Sequence, residues 1–183
     1  MTRAYISIGS NIDPAVNVRA AVRALATEVR LLELSTIYRT EPEHGLVQPP
    51  FYNGVVLVET SHPPETLKFQ VLRSIEARLG RRRTDDRNAA RCIDLDVLLY
   101  GDLILHTSGM ILPDPGIASR PVLAIPLSEL APHLVPPGMT ATVSALAAAM
   151  PQTSMFPLYS YTAQLRQLAG LSPAAQSCLS EKP

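Results

Sequence analysis

Asp94 and Asp96 flank Leu95 in the stretch CIDLDVLLYGD. Side chains alternate along an extended chain, so both carboxylates leave the same side, with their alpha carbons about 6.5 to 7 Å apart. At that spacing they can converge on one divalent cation, or on two that share bridging oxygens. Hard oxygen donors without a converging set of histidines or cysteines favour Mg²⁺ over zinc. Just upstream lie Arg81, Arg82, Arg83, Arg87 and Arg91. A guanidinium offers five donors in a planar fork that suits phosphate oxygens. Acids that hold Mg²⁺ beside arginines that neutralise phosphate are what a metal-nucleotide requires. The competing reading is a solvated charge patch balanced by Asp85 and Asp86, with acids that only blunt a sheet edge.

Other candidates carry less. Gly9-Ser10-Asn11 reads as a strand-to-helix turn that can lend backbone groups to a site. Neither GxxxxGK[ST] nor GxGxxG occurs, which disfavours a P-loop kinase or a Rossmann cofactor domain. His44, His62, His106 and His133 are dispersed and form no nucleophilic triad. Phe51 and Tyr52 precede Asn53, so an aromatic ring to cover a flat ligand sits next to an amide that both donates and accepts.

These side chains need elements to hold them. AYISI at 4–8 predicts a strand that ends in the glycine turn. Asp13 and Pro14 then predict the cap and first turn of a helix whose stripe is Val18, Val22, Leu25 and Val29. A second strand is expected over 31–38, a proline-bearing loop over 39–51, and a third strand in YNGVVLVE. Pro63 and Pro64 open a second helix with Leu67, Val71, Ile75 and Leu79 on its buried side, and Gly80 closes it. RRRTDDRNAAR lacks apolar period and reads as loop. In the strand that follows, Ile93, Leu95, Val97 and Leu99 are expected on one side and Asp94, Asp96 and Leu98 on the other. The order predicts an α+β protein with a ferredoxin-like split βαβ core, in which helices cover one face of a mostly antiparallel sheet. Past residue 110 the signals are a turn-rich LPDPGIASRP, one or two helical turns in PLSELA and a short helix in TVSALAAAM. The expected division is a domain over 1–150 and a C-terminal extension over 151–183, packed on the domain or partly disordered.

Composition sets the limits. A chain of 183 residues, 46% hydrophobic and 17% charged, can bury a core without disulfide staples. Sixteen basic and sixteen acidic residues cancel, so no global field draws it to nucleic acid or anionic membrane. Cys92 and Cys178 stand far apart, and no apolar run approaches membrane-spanning length. The expectation is a cytoplasmic protein without membrane or nucleic-acid partners, a monomer or weak homodimer.

IGSN at 8–11, YRTEP at 38–42, QPPFYN at 48–53, IEARLGRRRTDDRNAARCIDLDVLLYG at 75–101 and LPDPGIASRPVLAIPL at 112–127 resemble the 6-hydroxymethyl-7,8-dihydropterin pyrophosphokinase family of folate biosynthesis. The resemblance implies transfer of the terminal pyrophosphoryl unit of MgATP to the pterin hydroxymethyl group, with release of AMP. It implies two Mg²⁺ ions on Asp94 and Asp96, with Arg81 and Arg91 at the reacting phosphates. Arg73, Glu76, Arg83, Arg87, Asp114 and Arg120 fall on its nucleotide side. Thr40, Phe51, Asn53 and Val122 fall on its pterin side.

The chain departs from that pattern in places. Arg73 stands for the more usual glutamine, and Asn88-Ala89-Ala90 replaces a tryptophan-glycine-proline run. Asp114 replaces a histidine, and Val122 replaces an aromatic that would face Phe51 across the pterin. Glu43-His44-Gly45 alters a proline-x-glycine loop. The rivals are a non-catalytic or altered-substrate relative and, in a different class, an RNA-binding module built on the arginine loop.

Overall fold

The computed structural model describes residues 1–42, 47–82, 86, 89–151 and 154–171. Its first strand is β1 (Thr2–Ser10), whose alternation buries Ala4, Ile6 and Ile8 on one face. β1 pairs antiparallel with β4 (Phe51–Thr60) on one side and β5 (Asp94–Tyr100) on the other. β4 also takes β2 (Arg30–Leu34) and β3 (Tyr38–Thr40), and β3 takes β8 (Met155–Pro157). The main sheet therefore runs β5-β1-β4-β3-β8, with β2 also on β4. A separate hairpin joins β6 (Leu105–His106) to β7 (Ile111–Leu112).

One face of the sheet is buried and apolar. α1 (Pro14–Glu28) lays Val18, Ala21, Val22 and Leu25 on it, next to Leu67, Leu72 and Ile75 from the second helical rod. That rod runs as α2 (Pro64–Thr66), a π-helical stretch over Leu67–Leu72 and α3 (Arg73–Arg78). Asp13 sits at the start of α1 with φ 42° and makes no side-chain cap. Its carbonyl accepts from Val16 and Asn17 instead.

The opposite face is covered as well, whereas the sequence reading placed helices on one face only. A 3₁₀ turn (Pro115–Ala118), α4 (Pro121–Leu130) and α5 (Val143–Ala148) pack Ile117, Leu123, Leu127 and Val143 against Val55, Leu98 and Leu99. α4 starts at Pro121, five residues ahead of the expected turns, and runs through Pro126. Leu99 is a second correction. The register slips between Tyr5 and Ile6, so Tyr5 pairs with Leu99 while Ile6 pairs with Val97. Leu98 is the extra residue of a bulge, and Leu98 and Leu99 both join the second core.

The single strand expected over 31–38 is broken in two. At the break the Ser35 hydroxyl accepts from Val55 N at 2.9 Å and donates to Thr36 O at 2.9 Å, replacing regular ladder bonds. α6 (Tyr159–Leu168) covers this break. Ile37 N donates to Thr162 Oγ1 at 2.9 Å, Arg166 donates twice to Leu34 O, and Leu165 is fully buried in the first core.

Candidate functional site

Strand register builds the floor. Asp94 lies opposite Gly9, Gly9 opposite Asn53, and Asn53 opposite Tyr38. Directly paired residues share a face, so a carboxylate and an amide stand on the same side with Gly9 between them. A Cβ on Gly9 would lie 2.9 Å from Asn53 Oδ1 and 3.9 Å from Asp94 Cβ, so the missing side chain keeps that passage clear. One pleat along, Asp96 pairs with Ser7 and Phe51 pairs with Thr40. Both aspartates thus face the same way as Asn53, Phe51 and Thr40. Asn53 Nδ2 donates to Thr40 Oγ1 at 2.7 Å, which aims the amide.

The charged end is assembled around the edge strand β5. Gly80, at φ 84°, supplies the left-handed residue that stops α3, and Arg81 N then closes on Glu76 O at 3.0 Å. That turn returns the Arg81 guanidinium to the Glu76 carboxylate, the Asp94 carboxylate and Ile93 O. Glu76, only 2% exposed, also accepts from Leu95 N at 2.9 Å, tying α3 to the edge of β5. Arg91 donates to the other Asp94 oxygen at 2.7 Å. Burial pushes the Asp94 carboxyl up, but Arg81 and Arg91 outweigh it and hold its pKa below the ordinary carboxylate value. Burial likewise opposes the Arg81 charge, and Asp94 and Glu76 more than offset that.

Asp96 is served separately. Lys68 Nζ lies 2.7 and 3.0 Å from its two oxygens, and Val97 N donates to Oδ1 at 2.8 Å. Among the described residues no group of three or more His, Cys, Asp or Glu could hold an ion by itself. The donor chemistry nonetheless suits Mg²⁺. Two hard carboxylates with side chains 37% and 38% exposed share one face, and Mg²⁺ commonly takes one or two carboxylates and fills its octahedron with phosphate and water.

The remaining expected residues are spread around this centre. Arg73 is exposed and stacks 4.5 Å from the centroid of the Phe69 ring. Arg120 is exposed at the start of α4. Asp114 accepts from Gly116 N at 2.7 Å; burial and the nearby Asp96 charge raise its pKa, against the pull of Arg120 and Lys68. Val122 packs against the second core. Arg83 and Arg87 lie outside the described residues, as do Asn88 and the Glu43-His44-Gly45 segment.

Two residues of this centre escaped the sequence reading. Lys68 is one. Asn11 is the other, 1% exposed, read there only as part of a turn. Its Oδ1 accepts from Arg91 N at 2.7 Å and its Nδ2 donates to Gln48 Oε1 at 3.0 Å, so it fastens the arginine segment to the segment ahead of Phe51. Its place directly after Gly9-Ser10 at a strand end was the available signal, since a buried amide there must find partners.

The fold is thus a six-stranded antiparallel sheet with acids and guanidiniums at one edge and an aimed amide two strands away on the same face. Over residues 5–132 the sequence matches 7,8-dihydro-6-hydroxymethylpterin-pyrophosphokinase (HPPK), and the chain belongs to that family. A 2-amino-4-hydroxy-6-hydroxymethyldihydropteridine pyrophosphokinase from Methylorubrum extorquens is 40% identical over 143 residues, 76% of this chain and 89% of the relative. The folic acid synthesis protein fol1 of Pneumocystis carinii is 36% identical over 135 residues, and this chain spans only 18% of its length. The crystal structure of wild-type HPPK-DHPS from Plasmodium falciparum has the same fold, with a TM-score of 0.65 over 91% of this chain and 46% of that one at 12% identity.

Proposed function

We propose that the chain transfers the β,γ-pyrophosphoryl unit of ATP to the hydroxymethyl oxygen of 6-hydroxymethyl-7,8-dihydropterin and releases AMP, acting in the cytoplasm in folate synthesis. The observation that carries this reading is the placement of Asp94 and Asp96 on the face that also bears Asn53, Phe51 and Thr40, with Arg81, Arg91 and Lys68 at the acids. The names of the relatives agree with it.

Each half has a task. Phe51 offers a face for stacking the pterin bicycle, and the Asn53 amide, aimed by Thr40, reads its hydrogen-bonding edge. Asp94 and Asp96 would hold two Mg²⁺ ions, which supply charge neutralisation at the phosphates when bound. Arg81 and Arg91 stabilise charge that builds on the transferring group and on departing AMP. The pterin oxygen bonds to the β-phosphorus, the bond from that phosphorus to the α–β bridging oxygen breaks, and the hydroxyl proton goes to water. Rate comes from positioning and electrostatics, with no covalent enzyme intermediate.

The test is an assay of purified protein with MgATP and 6-hydroxymethyl-7,8-dihydropterin in which AMP, ADP and pterin pyrophosphate are quantified separately. Equimolar AMP and pterin pyrophosphate are expected. ADP would reject pyrophosphoryl transfer, and ligand binding without either product would mark a non-catalytic relative.

A further inference from the structure

The two aspartates are held in different ways. Arg81, which holds Asp94, is also committed to Glu76 and to Ile93 O, and its side chain is 12% exposed. Lys68 is committed to Asp96 alone among the described hydrogen bonds and ion pairs. It rises from the π-helical stretch on a flexible stem, and its ammonium is a compact point charge that changes partner at little geometric cost. The stem is nonetheless well placed. Lys68 is 19% exposed at the side chain, and its Nζ lies 5.9 Å from the centroid of the neighbouring Phe69 ring. Phe69 is itself fixed, with Arg73 stacked on the ring and the Gly109 backbone so near that a Cβ there would fall 2.9 Å from Cζ. The π-helical turn therefore aims one cation at one carboxylate.

An ammonium shared by both oxygens of a carboxylate competes with a divalent cation for the same negative charge. We propose that Lys68 is a positioning residue that guards Asp96 as an internal counter-ion, yields it to the divalent cation, and then meets the nucleotide phosphates. The proposal rests on the pyrophosphokinase reading. It makes Lys68 opposite in sign for the two ligands, since it competes with the bare cation and assists the nucleotide that arrives with it. A lysine that merely steadied the helix would alter stability and leave both affinities alone.

The experiment compares the wild-type chain with Lys68→Met and Lys68→Arg, using Lys68→Gln if the methionine variant does not fold. Mn²⁺ alone is titrated and followed by the electron paramagnetic resonance of the free ion. Mg²⁺ with α,β-methylene-ATP is titrated calorimetrically, and thermal unfolding is recorded for each variant. Lys68→Met is expected to bind Mn²⁺ alone about three- to ten-fold more tightly and the magnesium–nucleotide analogue more weakly by a similar factor, the range of a partly exposed charge pair. Lys68→Arg should stay near wild type for Mn²⁺. Unchanged or weaker Mn²⁺ binding in Lys68→Met, with nucleotide binding intact, overturns the Lys68 role alone. Failure of the wild-type chain to bind either Mn²⁺ or the nucleotide analogue overturns both it and the pyrophosphokinase reading.

Discussion

The two halves of the candidate site solve different problems on one sheet face. At the β5 edge, every carboxylate of the pair has a full charge against it: Arg81 and Arg91 on Asp94, Lys68 on Asp96. Across β1 and β4, Asn53 and Thr40 are neutral and are joined by one 2.7 Å bond. Ion pairs must exchange partners before they can serve a charged ligand, while the amide is already aimed. The charged half should therefore respond to ions and acid, and the neutral half only to shape and hydrogen bonding.

Asp94→Asn tests that division most severely. Turnover at saturating Mg²⁺ should fall by a factor on the order of 10³, while pterin binding measured without nucleotide stays unchanged. Equal losses in both would erase the distinction between the halves. Glu76→Gln comes next, because it removes the charge of a nearly buried carboxylate that Arg81 and Leu95 N depend on. Chemical denaturation should show a loss of about 2 to 3 kcal/mol, less than for a buried pair without a second acid because Asp94 still holds Arg81. Asn53→Ala should weaken pterin binding by roughly ten-fold, about 1.4 kcal/mol, with little change in nucleotide affinity; titration of each ligand separately checks it.

Acid sharpens the comparison further. Asp94 has a folded pKa below its ordinary 3.8, so its contribution to stability is present above that value and is lost as pH falls through the lower folded one. Unfolding curves from pH 5 to pH 2 should show this slope, and Asp94→Asn should flatten it. Asp114 has the opposite sign. Its raised pKa means that ionisation opposes folding, so stability declines as pH rises from 3.8 toward the folded value. Asp114→Asn, which keeps the acceptor for Gly116 N, should stabilise the chain at neutral pH by less than about 1 kcal/mol in thermal unfolding.

Much of the sheet was legible because period-two alternation is a strong local signal, and it put Asp94 and Asp96 on one side correctly. It failed at Leu99 because a bulge is a property of pairing between strands, which no single strand declares. Lys68 was missed for a subtler reason. Leu67, Val71, Ile75 and Leu79 repeat every four residues, so in a pure α-helix the stripe drifts by about 40° at each step. The wider π-helical turn over Leu67–Leu72 offsets part of that drift, and the apolar spacing reads the same as that of an ordinary α-helix. Glu76 was legible only through the resemblance, since its burial depends on Arg81 returning past Gly80.

The stitching of α6 over the break between β2 and β3 reaches further than local order. Leu158 N bonds Ile37 O, and β8 shields the outer margin of β3, the strand that carries Thr40. A chain cut at Met150 would leave those amides and carbonyls bare and offer β3 as a template for sticky self-association. Weaker pterin binding and lower solubility should then arrive together, although the deletion spares Thr40, Phe51 and Asn53.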